Sequence, residues 1–136
     1  MSKADILIVD DEADIRFQLR GILQDENYAT REAHHAKSAF AAVQTKQPDL
    51  ILLDIWLEGS KLDGMGILEK LSETYPDIPV IMISGHGNIE MAVQAIKAGA
   101  YDFIEKPFKT DHLLHLCTRA LEASSLKQEN KKLKRI

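Results

Sequence analysis

The sequence predicts an α/β domain built on a doubly wound parallel sheet of five strands, and three observations predict it. Short apolar runs at about residues 5–9, 50–53, 79–83 and 101–105 alternate with segments of helical periodicity. Each run is bounded by turn residues, as buried parallel strands usually are. Because a strand, a helix and a parallel strand connect with right-handed chirality, the alternation places helices on both faces of the sheet.

The remaining strand and the helices follow from weaker signals. Residues 29–33 have little apolar content, which predicts an edge strand and favours the strand order 2-1-3-4-5. The second helix is expected to end before Pro48, and Asn88 and Gly99 are suited to begin and end the fourth. Apolar spacing and these signals together predict helices at about residues 14–26, 36–45, after 64, 88–99 and from 110 onward.

Reactive side chains stand at the carboxyl ends of four predicted strands. Asp10 and Asp11 follow the first strand, Asp54 the third, Ser84 the fourth and Lys106 the fifth. In a sheet of this class those ends form the ligand crevice, so three acids, one hydroxyl and one lysine are expected to converge there. Each residue alone has an ordinary explanation as a cap or loop residue, but the five together favour a functional site.

The residue types predict phosphoryl chemistry. Oxygen ligands without His or Cys suit a hard divalent ion, Mg²⁺ before Ca²⁺. Three neighbouring carboxylates raise one another's pKa unless a cation lies among them, and Lys106 supplies such a charge. Lysine and metal together would offset the charge on phosphoryl oxygens. Asp54, the central acid, is the best candidate for a nucleophile that forms an aspartyl phosphate.

Composition restricts the classes of function. The 136 residues suffice for one domain with a modest extension, and no apolar stretch or leading segment resembles a membrane span or a signal peptide. The single cysteine, Cys117, excludes an internal disulfide and is expected to be a small buried side chain. We therefore expect a cytoplasmic protein without a membrane partner.

The last helix differs from the rest of the chain in charge. Residues 1–126 carry 12 basic and 20 acidic side chains, whereas residues 127–136 carry five basic and one acidic. The acidic part argues against nucleic acid as the domain's own partner. A stripe close to a heptad pattern runs along this helix through Leu113, Leu116, Ala120, Ala123, Leu126, Asn130 and Leu133. We predict a domain at residues 1–124 and a helical linker at 125–136 leading to further domains.

Six short motifs resemble those of one protein family. They are Val9-Asp10-Asp11-Glu12, Leu53-Asp54-Ile55, Asp63-Gly64, Ile83-Ser84-Gly85, Gly99-Ala100-Tyr101-Asp102-Phe103 and Glu105-Lys106-Pro107-Phe108. Over residues 4–124 the chain resembles the receiver domain of two-component response regulators, which implies the flavodoxin-like (βα)5 fold. The loop 55–62 is two residues longer than usual and lacks proline; together with the segment 84–88 and the long last helix, it resembles receivers of the NtrC group, in particular the NtrX regulators.

The resemblance implies how a phosphoryl group is received. Asp54 would accept it from a sensor histidine kinase. Mg²⁺, for which Mn²⁺ is a possible substitute, would be held by Asp11, Asp54 and the main-chain carbonyl of Trp56, with Asp10 acting through water. A regulator of this kind is not an enzyme toward other molecules and catalyses only its own phosphorylation and dephosphorylation.

The resemblance also implies how the signal is transmitted. Ser84 and Lys106 would stabilise the phosphoryl group, and Ser84 with Phe103 would form the switch pair. Pro107 is a candidate for a cis peptide bond, because an X-Pro bond at this rim would aim the lysine. A homodimer would form through the fourth helix, the fifth strand, the fifth helix and the linker helix, with an output surface at Ile89, Val93, Tyr101, His112 and His115.

DNA would be reached only through output domains, an ATPase-type domain and a helix-turn-helix, that lie outside this chain. Two other functions stay open. One is a Mg²⁺-dependent phosphohydrolase with an aspartate nucleophile; the haloacid dehalogenases, however, carry Asp-x-Asp on their first strand, whereas here Asp54 follows the third. The other is a receiver-like binding module that never meets phosphate, against which the intact set of site residues argues.

Overall fold

The structure, a computed structural model, describes residues 4–55, 64–85 and 89–134; the side chains of Ile89 and of residues 125–134 lie outside this description. Within it, five strands and five helices alternate along the chain. The strands are β1 (Asp5–Val9), β2 (Ala29–Ala33), β3 (Leu50–Asp54), β4 (Val80–Ser84) and β5 (Asp102–Glu105). The helices are α1 (Ala13–Asp25), α2 (Ala36–Thr45), α3 (Gly64–Thr74), α4 (Ile89–Lys97) and α5 (Thr110–Lys134).

The sheet has the predicted topology. All pairings are parallel and the order is β2-β1-β3-β4-β5, which confirms both the fold class and the strand order. The polar strand β2 lies at one edge, as its sequence predicted. The strand order reverses between β1 and β3, because β2 lies on one side of β1 and β3, β4 and β5 lie on the other. A ligand site is therefore expected in the crevice at the carboxyl ends of β1 and β3.

The three inner strands β1, β3 and β4 bury both of their faces, whereas β2 and β5 are only partly buried. Successive side chains of a strand point to opposite sides of the sheet, and β1 shows this with Leu7 and Val9 on one side and Ile6 and Ile8 on the other. The first pair packs in a cluster with side chains of α2 and α3, and the second with side chains of α1 and α5. The two apolar layers hold the sheet rigidly between the helices, so the strand ends are fixed in position.

Two strands end one residue later than the sequence predicted, and this difference concerns the site. Asp54 is the last residue of β3 and pairs with Ile83 of β4, while Ser84 is the last residue of β4 and pairs with Glu105 of β5. The apolar runs are one residue shorter than the strands because the last residue of each strand is polar: Asp54 in β3 and Ser84 in β4. The backbones of both site residues are therefore part of the sheet and not of a loop.

Helix ends show one expected and one unexpected feature. Gly99 follows α4 with φ of 114°, a conformation that favours glycine, and a Cβ there would lie 2.6 Å from Ser72 Oγ. The sequence predicted the start of α2 at Ala36 but not its cap: the Nδ1 atom of His35 accepts a hydrogen bond from the Ser38 main-chain N–H at 3.0 Å. Imidazole is an uncommon cap, which is why only the geometry identifies it.

The last helix begins as part of the core and continues beyond it. Leu113, Leu116 and Ala120, the first members of the predicted heptad stripe, are buried against the sheet. The start of the stripe is therefore the core face of α5, while the helix itself continues to Lys134. None of the helices in the described ranges is long and apolar enough to cross a membrane.

Candidate functional site

The predicted residues converge at the carboxyl end of the sheet. Asp10 follows β1, and its main-chain N–H donates to the carbonyl of Ala33 at the end of β2, 3.1 Å away. Lys106 follows β5, and its N–H donates to the Ser84 carbonyl at 2.8 Å. Asp54 lies between them at the end of β3. Backbone pairing thus aligns the segments that carry the acids, the hydroxyl and the lysine.

The ammonium group of Lys106 is the centre of the site. Its Nζ lies 3.3 Å from Oδ2 of Asp10, 3.4 Å from Oδ2 of Asp54 and 3.8 Å from Oε1 of Glu12. The contact with Asp54 is a hydrogen bond, whereas the contact with Asp10 is an ion pair that lacks hydrogen-bond geometry. Asp10 and Asp54 are buried, and Glu12 is exposed. One cation therefore joins two buried carboxylates from different strands.

Burial has the largest effect on the protonation of Asp10. It raises the pKa of this carboxyl, and the Glu12 main-chain N–H, which donates to Oδ1 at 2.8 Å, and the charge of Lys106 only partly oppose it. The sequence predicted that neighbouring carboxylates would raise this pKa unless a cation lay among them; Lys106 is that cation and lowers the pKa, and Asp11 has the smallest effect among the causes. Burial also works to lower the pKa of Lys106, yet Asp54 and Asp10 outweigh it and leave that pKa raised.

Two buried polar atoms lack hydrogen bonds within the described part of the chain. They are Oδ2 of Asp10 and the hydroxyl oxygen of Ser84, whose side chain is fully buried. A buried polar atom without a hydrogen bond costs free energy, so such atoms are rare unless a ligand or ion completes them. Oδ2 of Asp10 keeps its ion pair with Lys106, so the Ser84 hydroxyl is the less satisfied of the two. Both stand at the rim where the sequence predicted a metal ion and a phosphoryl group.

The turn after β1 supplies a possible cation site. One carboxylate oxygen from each of Asp10, Asp11 and Glu12 can be chosen so that the three lie within 4.8 Å of one another. Oxygen donors from carboxylates fit Mg²⁺ or Mn²⁺ in chemical type. Glu12 was not among the predicted site residues, although its place as the third consecutive acid after a strand is the signal that could have identified it. Trp56, whose carbonyl was predicted as a ligand, lies outside the described residues.

The first residue of α3 is hydrogen-bonded to the residue that follows β3. The main-chain N–H of Gly64 donates to the carbonyl of Ile55 at 2.8 Å, so the chain closes tightly next to Asp54. A Cβ on Gly64 would overlap the Asp54 carbonyl oxygen and the Ile55 backbone. Glycine is therefore required for α3 to begin this close to the site. Asp63, the other residue of this motif, lies outside the described residues.

The residues predicted to transmit a signal lie on the neighbouring strand and helices. Phe103 of β5 is half-buried and packs against the apolar cluster on the α2 and α3 side of the sheet. The Lys106–Pro107 peptide bond is cis.

Apolar side chains are exposed where the output surface was predicted. Val93 is 47%, Ile96 42% and Tyr101 37% exposed, while His112 and His115 are exposed on α5. Ile96 was missed, and the side chain of Ile89 lies outside the description. Val93 and Ile96 stand three residues apart on α4, so they share one face of that helix.

Comparisons with known proteins agree with this geometry. Residues 6–118 match the family described as the response regulator receiver domain. The nitrogen assimilation regulatory protein NtrX of Azorhizobium caulinodans is 54% identical over 132 residues, which are 97% of this chain and 29% of that protein. The DNA-binding transcriptional regulator NtrC of Proteus hauseri is 36% identical over 121 residues, 89% of this chain and 25% of that protein.

A solved structure is similar over most of the fold. The receiver domain of NtrX from Brucella abortus superposes with a TM-score of 0.85 at 58% identity, covering 87% of this chain and 98% of that one. The chain spans less than a third of the length of the two curated relatives. Since the matched family covers most of the 136 residues, the chain belongs to the response regulator receiver domain family and is similar to receivers of the NtrX and NtrC type.

Proposed function

We propose that this domain is a phosphorylation-gated switch that accepts a phosphoryl group on Asp54 from a sensor histidine kinase. The observation that carries the proposal is the buried Asp54 carboxylate hydrogen-bonded to Lys106 Nζ at 3.4 Å, beside the unpartnered hydroxyl of Ser84. Receiver domains interact with histidine kinases, and the family match extends this general property to the chain. The proposal assigns the acceptor atom and the groups around it.

The chemistry is a transfer between two nucleophiles. A carboxylate oxygen of Asp54 attacks the phosphorus of a phosphohistidine, a new O–P bond forms, and the P–N bond breaks with its electron pair remaining on the imidazole nitrogen. Lys106 offsets charge on the phosphoryl oxygens, and the Ser84 hydroxyl donates a hydrogen bond to one of them. The domain catalyses only this step and its own dephosphorylation, and acts on no other substrate.

When bound, Mg²⁺ would place further positive charge next to the phosphoryl oxygens, and Mn²⁺ could take its place. Asp11, Asp54 and the Trp56 main-chain carbonyl would hold it, with Asp10 acting through water. The carboxylate oxygens of the turn after β1 and the buried Oδ2 of Asp10 fit a hard divalent cation in chemical type.

The response follows from the two switch residues. Ser84 gains a hydrogen-bond partner once Asp54 is phosphorylated, and its movement leaves space into which Phe103 turns from its half-buried position on β5. Phosphorylation then shifts an existing equilibrium and does not create a new fold. The exposed Val93 and Tyr101 would be the first surface residues to report the change.

The output is proposed as control of transcription through domains beyond this segment. Residues 1–124 would form the receiver and residues 125–136 the linker helix, with a homodimer through α4, β5, α5 and the linker. Ile89, His112 and His115 would border the interface. The relatives are described as nitrogen assimilation and DNA-binding transcriptional regulators, which supports this output.

Intact mass after incubation with Mg²⁺ and a small acyl phosphate tests the proposal directly. The wild type is expected to gain one phosphoryl group, Asp54→Asn none, and the control Asp14→Asn, an exposed acid in the first turn of α1, one group as in the wild type. Steady release of phosphate without an adduct would favour the phosphohydrolase instead. Neither adduct nor release, with the purified cognate kinase also tried, would favour the phosphate-independent binding module.

A further inference from the structure

Arg16 of α1 is tied to the turn that carries the acidic cluster. Its Nη1 donates a hydrogen bond to the main-chain carbonyl of Asp10 at 2.6 Å, and its Nε donates to Oε1 of Glu32 at 3.3 Å. The arginine side chain is only 18% exposed. It thus connects the first helix, the edge strand β2 and the turn after β1, although the bond to a backbone carbonyl leaves no signal in the sequence.

The hydrogen bond from Arg16 fixes the main chain at Asp10, the first of the three consecutive acids in the turn after β1. The main-chain N–H of Asp10 is already held by the Ala33 carbonyl, and Oδ1 of Asp10 accepts from the Glu12 N–H at 2.8 Å. Arg16 holds the remaining main-chain atom of Asp10 that can form a hydrogen bond, its carbonyl. With both polar main-chain atoms of Asp10 bound, rotation of the turn that would separate the carboxylates is opposed from both sides.

Glu32 in turn holds the guanidinium in place. Its Oε1 binds Arg16, and its Oε2 accepts from Nη1 of Arg20 at 2.9 Å. A planar guanidinium presents its donors in a fixed fork, so anchoring Nε on Glu32 directs Nη1 toward the carbonyl. Arg20 shares the glutamate, and its guanidinium contacts Glu32 and the Phe17 ring.

We infer that Arg16 is a positioning residue for the cation-binding turn: it touches no reacting atom and sets the arrangement of Asp10, Asp11 and Glu12 through the Asp10 carbonyl. The inference rests on the proposed divalent-cation site. Groups that orient the ligands of a metal affect its affinity strongly, and their removal commonly costs about 10- to 100-fold.

Charge and position predict opposite results when Arg16 is removed. If Arg16 acted only as a positive charge near the acids, Arg16→Met would make the site more negative and Mg²⁺ would bind more tightly. If Arg16 instead positions the turn, Arg16→Met disturbs the arrangement of the three acids, and Mg²⁺ binds more weakly. Arg16→Lys keeps the charge but loses the fork, and it should weaken binding as well.

Calorimetric titration of Mg²⁺ into the domain measures the effect without phosphorylation. Arg16→Met is expected to raise the dissociation constant about 10-fold or more, and Arg16→Lys to raise it in the same direction. Arg20→Met is the matched control, because it removes the same charge from the same glutamate without a bond to Asp10, and its constant should equal that of the wild type. Unfolding in EDTA shows whether each variant is folded at the titration temperature.

Arg16→Lys keeps the inference testable if Arg16→Met does not fold. It keeps the positive charge, so weaker Mg²⁺ binding in this variant reports the loss of the guanidinium fork and not of the charge. Equal constants for Arg16→Met and Arg20→Met, or tighter binding in Arg16→Met, would overturn the positioning role alone. A wild type that binds no Mg²⁺ would overturn the proposed cation site and the positioning role with it.

Discussion

Removing the Lys106 charge should destabilise the domain, and the contacts allow the size to be worked out. At 3.3 and 3.4 Å, each of the contacts with Asp10 and Asp54 represents about 5 kcal/mol of Coulomb attraction at an effective dielectric constant of about 20. Most of this attraction offsets the desolvation of the ammonium. Breaking a buried pair costs about 3–5 kcal/mol because a charge is left without a partner. Since Lys106 is 20% exposed, we expect Lys106→Met to lose about 3 kcal/mol of unfolding free energy at neutral pH.

The loss should depend on pH in a defined direction. The raised pKa of Lys106 means that its contribution is complete below the ordinary lysine pKa and disappears only as the pH rises through the higher folded-state value. In Lys106→Met, the buried Asp10 loses a cation, and its pKa, already raised by burial, rises further. The cost of the charged Asp10 begins to shrink as the pH falls below that pKa and is gone below the ordinary value of 3.8. The deficit of the variant should therefore shrink on acidification.

Chemical unfolding in EDTA at several pH values between neutrality and the ordinary range of carboxyl groups measures both effects. A deficit of about 3 kcal/mol corresponds to a midpoint roughly 10 °C lower in a thermal scan. Lys109→Met serves as control, because Lys109 is an exposed lysine close to the site, and it should change little at any pH. A Lys106→Met protein as stable as the wild type at neutral pH, or a deficit that does not vary with pH, would refute the reasoning.

Two further predictions concern the neighbouring residues. Gly64→Ala should lower the unfolding free energy by about 2–3 kcal/mol, because the added Cβ would overlap the Asp54 carbonyl. Gly21→Ala, whose added Cβ would meet nothing within 4 Å, should raise it by about 0.5–1 kcal/mol. Equal effects of the two substitutions in urea unfolding would contradict this prediction. Asp10→Asn should raise the unfolding free energy at neutral pH, because it removes a charge whose burial outweighs its stabilisation and leaves Asp54 to pair with Lys106. The raised pKa makes the wild type lose stability as the pH rises from the ordinary 3.8 through the folded value, so the gain should vanish below 3.8. A gain that persists there, or one matched by the exposed Asp25→Asn, would contradict the second prediction.

The fold was predictable because its signals are local and repeated. Each apolar run needs only to be short, turn-bounded and followed by helical periodicity, and the polar β2 sequence was sufficient to place that strand at the edge. The ends of the strands were less predictable. Asp54 and Ser84 were placed one residue beyond their strands because a polar side chain at a strand end looks the same in the sequence whether or not the backbone continues the ladder.

The candidate site was predictable in its residue types and less so in its contacts. The convergence of Asp10, Asp54 and Lys106 follows from topology alone, since parallel strands bring their carboxyl ends together. The contribution of Glu12 depends on a side chain that reaches 3.8 Å from the lysine, and that of Arg16 on a bond to a backbone carbonyl. Neither distance has a counterpart in residue spacing. The dominance of burial over repulsion at Asp10 likewise depends on packing.

The balance of charge at the rim explains why a cation and a phosphoryl group should act together. Four carboxylates, those of Asp10, Asp11, Glu12 and Asp54, stand against the one ammonium of Lys106. A phosphoryl group that arrived without further positive charge would increase the excess of negative charge in a buried setting, where such repulsion is strongest. A divalent cation reduces the excess before the phosphoryl group arrives. The unpartnered Ser84 hydroxyl adds a donor and no charge, so it can recognise the phosphoryl group but cannot replace the cation. We therefore expect phosphorylation of Asp54 to depend on cation binding, and we expect the arrangement of the acids, to which Arg16 contributes, to affect that step.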